Sequence, residues 1–302
     1  MKYNVSALNP QYDFDVTEPS YVGNPKDGTV MFITDRVSKL VENLKGHNRC
    51  LVFITKGINV SKELQRTNLF IECDDAQREY ANFISVFALD KEKRDRARRY
   101  HLSTQGYYIG DNVMIGKDAY IEPGVIIGHD VCIGDHAHIM ANSVIKNAVI
   151  GDNVQINECA VIGASGFTMA EDESGDKFRL PTLGKVIIGN NVEIGTHDNI
   201  SCGSGGDTII EDNAKLDTMV HIGHDAYIGK NAELTAGVIV GGFTHIGEHG
   251  YMGINSAIRN RRELGRNSIA GMGAVVLKSV EDNTVIVGNP GRFLKTRGGG
   301  DA

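Results

Sequence analysis

From Ile109 an aliphatic residue returns at every sixth position: Ile109, Ile115, Ile121, Ile127, Ile133, Ile139 and Ile145, all seven of them Ile, four followed by Gly. A one-residue slip resets the phase to Ile150, Ile156 and Ile162. The series resumes at Ile188, Ile194 and Ile200, then runs from Ile210 through Leu216, Ile222, Ile228, Leu234, Val240, Ile246, Met252, Ile258, Leu264 and Ala270 to Val276. Such a repeat is the signature of a parallel β-helix, in which each hexad is one short strand and a turn and three hexads close a triangular coil. The aliphatic side chain points inward and stacks on its equivalents in neighbouring coils. Gly and Asn beside it, as in IGDN, IGNN and IGKN, serve corners where φ is often positive. Coils stack one strand spacing apart, roughly 4.8 Å, so a residue and the one three hexads later are neighbours.

The repeat is interrupted twice, by GASGFTMAEDESGDKFRLPTLG over residues 163–184 and by SCGSGGDTI over 201–209. The longer excursion exceeds what a corner needs, and loops of that length inside a compact domain are usually functional. Residues 1–100 lack the hexad and read as a small α/β domain. Apolar runs at 29–33, 50–55 and 68–72 are its strands. Asp74 with Gln77 resembles a capping box opening a helix that carries Tyr80, Phe83, Ile84 and Phe87 on one face. The organisation expected is therefore an α/β domain over 1–100, a β-helix over 101–290 with the insertion 163–184, and a flexible tail over 291–302. KEKRDRARR at 91–99 reads as a solvated helix end or linker.

Composition narrows the partners. A net charge of −7 argues against a nucleic-acid module, which needs a basic face. Five scattered cysteines without a CxxC suit a reducing compartment better than a disulfide framework. The start of the chain has no apolar core of a signal peptide, and no run approaches the ~18 apolar residues of a membrane span. The expectation is a cytoplasmic protein with no membrane span.

Against this monotony, DTMVHIGHDAYIG at 217–229 collects Asp217, His221, His224 and Asp225 within nine residues. Together with GASGF (163–167), LPTLGKVIIGNNVEIG (180–195), DTIIEDNAKLD (207–217) and AGVIVGG (236–242), and with an α/β domain ahead of hexapeptide coils, the chain resembles the UDP-3-O-acylglucosamine N-acyltransferases of lipid A synthesis. HIGHD is also similar to the related UDP-N-acetylglucosamine O-acyltransferases, which lack the N-terminal domain. The resemblance implies left-handed coils and a homotrimer with sites in clefts between neighbouring β-helices. It also implies an acyl thioester on coenzyme A or acyl carrier protein as co-substrate, a nucleotide-linked amino sugar as acceptor, and no metal or permanently bound cofactor.

By that resemblance His224 is the general base and Gly242 supplies the backbone N–H that receives the oxyanion. The chemistry suits them: an imidazole near its ordinary pKa of ~6.5 can take a proton from an amine, and a fixed N–H can stabilise an oxyanion. Gly242 lies three hexads after His224, one coil away on the same face. An acid should support the base. Asp217 matches the N-acyl branch and Asp225 the HD pair of the O-acyl branch, and the sequence does not choose. His221 is a candidate sugar contact, and Phe32 and Phe167 are candidate substrate contacts. Zinc ligation by His221, His224, His245 and His249 does not fit the spacing of the hexapeptide zinc hydratases.

Three departures bear on the substrate. The second aromatic that would stack uracil with Phe32 falls near Ser38. Arg261 stands where the N-acyl branch has a second functional His, within a cluster of Arg259, Arg261 and Arg262 that could grip donor phosphates. The C-terminal stretch resembles small coenzyme A-dependent acetyltransferases of this fold. These favour a short acyl-coenzyme A and an amino sugar for surface polysaccharide, with the lipid A reaction as the alternative and a non-catalytic scaffold as the rival of another class.

Overall fold

The computed structural model describes residues 2–296. The chain divides into two compact units. One holds the chain up to Arg94 with Phe167–Gly184 and Ser204–Gly206. The other holds Asp95–Gly166, Lys185–Gly203 and the chain from Asp207.

In the first unit the three apolar runs become strands Thr29–Ile33, Leu51–Thr55 and Leu69–Cys73. With Glu18–Pro19 they form a four-stranded parallel sheet in chain order. Consecutive residues Val30, Met31, Leu51 and Val52 are all buried, as a parallel sheet covered on both faces requires. Helix Ala76–Ala97 buries Tyr80 and Ile84 completely. Its cap is Asp75, whose Oδ1 accepts from Arg78 N at 3.0 Å. Asp74 instead pairs with Lys56 at 2.9 Å, and Gln77 donates to the Met169 carbonyl at 3.2 Å. The expected capping box does not form: Asp75 caps the helix alone, three residues before an open N–H, and Arg78 at the third helical position has no acceptor to return the bond. The long insertion is a hairpin, Met169–Glu171 against Lys177–Arg179, and its Ala170 and Leu180 share the core that holds Tyr80 and Phe53.

The second unit is a parallel β-helix. Its strands lie in three sheets, and successive coils pair in parallel with the period the hexads set, Ile126 with Val144 and His221 with Ile239. The inward column Ile127, Ile139, Ile145, Ile156, Ile222, Ile228, Leu234 and Val240 is completely buried. Corners are made by residues with positive φ, among them Asn112, Asn153, Asn191 and Asn231; Asn tolerates this conformation because its short side chain bonds locally. Both interruptions are absorbed without breaking the stack: Ile162 pairs with Ile200, and Ile200 with Ile222. Residues 292–296, expected in the flexible tail, form strand Arg292–Thr296, antiparallel to Thr284–Val287. The last coil leaves an edge of open backbone groups, and this strand satisfies it. The rest of the expected tail, 297–302, lies outside the described residues. No described helix is long and apolar enough to cross a membrane.

Candidate active site

Strand His221–Ile222 ends at a corner that carries His224 and Asp225. Asp225 has φ 59°, which turns the chain. Its backbone N–H donates to Thr208 Oγ1 at 2.9 Å. Its carboxylate meets His224 Nδ1 at 2.8 Å, with side chains only 14% and 2% exposed for His224 and Asp225. A carboxylate on Nδ1 holds the proton there and makes Nε2 the nitrogen with the lone pair.

The two acids left open by the sequence separate here. Asp225 is the partner of His224. Asp217 follows Leu216 at the preceding corner of the coil, is exposed, and accepts from its neighbour Thr218 N at 2.7 Å.

Pairing of Ile222 with Val240 places Gly242 directly over His224, and pairing of Val240 with Ile258 places Asn260 over Gly242. A Cβ on Gly242 would lie 2.6 Å from His224 Nε2 and 2.7 Å from Cε1. The tip of the imidazole therefore occupies the space a side chain would need. At its root, a Cβ on Gly166 would lie 2.6 Å from His224 Cβ and 2.9 Å from Cγ. Gly166 is a site residue the sequence reading did not single out, although it lies in the GASGF motif.

Several corners elsewhere carry a side-chain ladder. Lys117 N donates to Asp135 Oδ1 in the next coil at 2.7 Å, Asp135 N to Asp152 Oδ1 at 2.8 Å, and Asp152 N to Asn190 Oδ1 at 2.8 Å. The same arrangement joins Arg266 N to Asp282 Oδ1 at 2.7 Å. Over His224 that rung is missing, because Gly242 has no side chain to reach back. Among the described residues no acceptor takes the Gly242 N–H.

His221 stands half-buried on the outward face of its strand, and burial first, then the charge of His224, push its imidazole below the ordinary pKa. Phe32 lies in the first unit, its ring 4.8 Å from that of Tyr80. Phe167, also in the first unit, is 73% exposed with the Arg179 guanidinium 5.0 Å over its ring. Of the arginine cluster, Arg259 is exposed. Arg261 lies 4.2 Å over the Phe243 ring. Arg262 donates to the Leu277 and Arg261 carbonyls, both at 3.1 Å. No group of three or more His, Cys, Asp or Glu among the described residues is arranged to hold a metal ion.

One carboxyl escaped the sequence reading. Asp198 is fully buried inside the β-helix and accepts from Val220 N at 2.7 Å and Gly195 N at 2.8 Å. Burial raises its pKa to about 7 against those two amides, and the charge of Asp217 adds to the rise. The folded chain thus holds this proton more tightly than the unfolded chain. Its contribution to stability falls as pH rises from about 4, the ordinary carboxyl value, to about 7. Asp198→Asn should flatten that limb of a plot of Tm against pH; an unchanged limb would assign it to other groups.

The repeat and the site can be set beside known proteins. The model of the bacterial transferase hexapeptide (six repeats) matches residues 106–139, 133–164 and 207–242. A UDP-3-O-acylglucosamine N-acyltransferase of Hydrogenovibrio crunogenus is 38% identical over 113 residues, 37% of this chain and 32% of that protein. One of a Caulobacter species is 36% identical over 154 residues, 51% of this chain and 45% of that protein. The chain thus spans less than half the length of these curated relatives. In three dimensions it is similar to the UDP-N-acetylglucosamine acyltransferase of Francisella novicida, with a TM-score of 0.53 at 25% identity over 62% of this chain and 70% of that one. In its repeat, its β-helix and its sequence, the chain resembles the hexapeptide acyltransferases, and the UDP-3-O-acylglucosamine N-acyltransferases among them.

Proposed function

We propose that the chain transfers an acyl group from a thioester to the amine of a nucleotide-linked amino sugar. The observation that carries this reading is a single imidazole whose Nδ1 is held by a buried carboxylate and whose Nε2 lies against a glycine with an open N–H. In the proposed step the amine nitrogen attacks the thioester carbonyl while His224 Nε2 takes its proton. The carbonyl oxygen becomes an oxyanion that the Gly242 N–H receives. Collapse breaks the C–S bond, and the proton on His224 leaves with the thiolate. Asp225 holds the imidazolium between the two transfers. No resident metal or cofactor enters these steps.

The names of the relatives favour UDP-3-O-acylglucosamine as acceptor, the lipid A reaction, over the short acyl-coenzyme A and surface-sugar reading drawn from the sequence departures. Coenzyme A and acyl carrier protein present the same thioester, and the proposal gives the phosphates of either to Arg259, which is exposed. A homotrimer belongs to the proposal. On the sheet of His221 the outward column includes Ile126, Val144, Val161, Ile239 and Val275, and on the next sheet Cys132, Val149, Ile187 and Ile209. The third sheet instead presents His138, Gln155, Glu193, Lys215 and Glu233. Two apolar faces meeting at the His224 corner suit a heterologous contact that closes into a ring.

Thiol release tests the reading, with acetyl, 3-hydroxybutyryl and long 3-hydroxyacyl donors on both carriers against UDP-, dTDP- and GDP-linked amino sugars. Turnover with UDP-3-O-acylglucosamine is the expected result; turnover confined to a short acyl-coenzyme A and another sugar would move the chain to surface polysaccharide, and no thiol release from any pair would remove the reading. Asp225→Ala deletes one charge-assisted hydrogen bond of about 1.5–3 kcal/mol. It should lower kcat roughly 10- to 150-fold with KM little changed, whereas Asp217→Ala should leave kcat within about twofold.

A further inference from the structure

Corners of the β-helix with positive φ are filled mostly by Asn, Asp and His, yet the corner over Asp225 is Phe243, at φ 57°. A bulky aromatic rarely adopts this conformation, and an outlier of this kind is a reason to look for a role. The Phe243 ring stands edge to face with the His224 imidazole, centroids 5.1 Å apart and planes at 88°. Its own face is covered by the Arg261 guanidinium at 4.2 Å, within cation–π range. Arg261 is the next corner of the same column, at φ 58°, and its carbonyl accepts from Arg262 Nη1 at 3.1 Å. Asp225, Phe243 and Arg261 thus run up one column beside His224, Gly242 and Asn260 in the next.

We infer that Phe243 is a positioning residue for His224 and that Arg261 is the clamp that holds its ring in place. Gly166 bounds the root of the imidazole, Gly242 bounds its tip and Asp225 holds Nδ1. Phe243 supplies a further wall, so the imidazole cannot swing from Gly242 without displacing a ring that a cation pins from the other side. The inference rests on the acyl-transfer reading for its kinetic consequence, but the geometry it predicts does not depend on turnover.

Phe243→Asn tests it, because Asn is the commonest residue at these corners and keeps the backbone bond from residue 243 N to the His224 carbonyl. The variant should melt at or above the parent temperature while kcat falls about tenfold and both KM values stay within about twofold. In 15N-histidine-labelled protein the His224 Nδ1–H resonance should move and broaden. Arg261→Ala should give a smaller loss in the same parameter, Arg261→Lys less still, and Arg261→Ala should add nothing to Phe243→Asn. Parental kcat with an unmoved Nδ1–H resonance in Phe243→Asn would overturn the inference. So would an Arg261→Ala defect that appears in the donor KM and persists undiminished beside Phe243→Asn, which would give Arg261 to the donor phosphates. If the parent releases thiol from no donor and acceptor pair, the acyl-transfer reading fails, and the resonance alone still decides whether Phe243 positions the imidazole.

Discussion

Replacing His224 by Gln should lower kcat by roughly 10²–10⁴-fold, the usual contribution of a positioned general base, while the melting temperature changes little. Gln keeps a polar side chain of similar reach but cannot accept the amine proton. His224 caps a corner, with its side chain 14% exposed, and lies outside the inward column of Ile222 and Ile228 that holds the coils together. Fold and chemistry should therefore come apart. Steady-state kinetics and thermal unfolding on the same preparation check this. Near-parental turnover would remove the mechanism, and a collapse of the fold would mean that the imidazole is a packing element.

Gly242→Ala should be nearly as damaging, by roughly 10²–10³-fold in kcat, the scale seen when one oxyanion donor is lost. The new methyl has no room. Its carbon would stand 2.6 Å from His224 Nε2, so either the imidazole turns away or the coil shifts. The first outcome removes the base from the acceptor, and the second moves the N–H from the oxyanion. This variant should also lose stability, and the two causes can be separated. If the collision is with the imidazole, stability should return when His224→Ala is added, although activity does not. Additive stability losses in the pair would place the strain elsewhere in the coil.

Much of this was legible in the hexads. The phase of Ile109 through Val276 sets which residues face inward and which stand one coil apart, and that alone brings His224 and Gly242 together. The same phase could have settled the acid. Asp217 follows Leu216 and His224 follows Ile222, and inward residues one hexad apart belong to different sides of the coil. Gly166 was hidden for a different reason: it lies in the insertion 163–184, where the count breaks, and only the pairing of Ile162 with Ile200 and Ile200 with Ile222 brings it beneath His224. Asp198 was hidden because a corner position looks solvated in sequence, whereas its equivalents Val220 and Ser143 show that this particular position points into the core. The Phe243–Arg261 contact depends on side-chain direction at a left-handed corner, which no periodicity encodes.

The missing rung over His224 has a consequence for how such a protein could be remade. Where Asp135, Asp152 or Asp282 reaches back to the coil before it, the corner gains a hydrogen bond and is inert. In the proposed reaction the missing rung has another use: with only hydrogen at 242, the space over the corner is left to the His224 imidazole, whose tip any side chain there would meet. The reverse edit, His224→Asn with Gly242→Asp, should knit the corner into the ladder and yield a sturdier, idle protein. Read in the other direction, any ordinary corner of a hexapeptide stack is one glycine and one histidine away from the raw material of a new site, so the scaffold offers many places where an enzyme could begin.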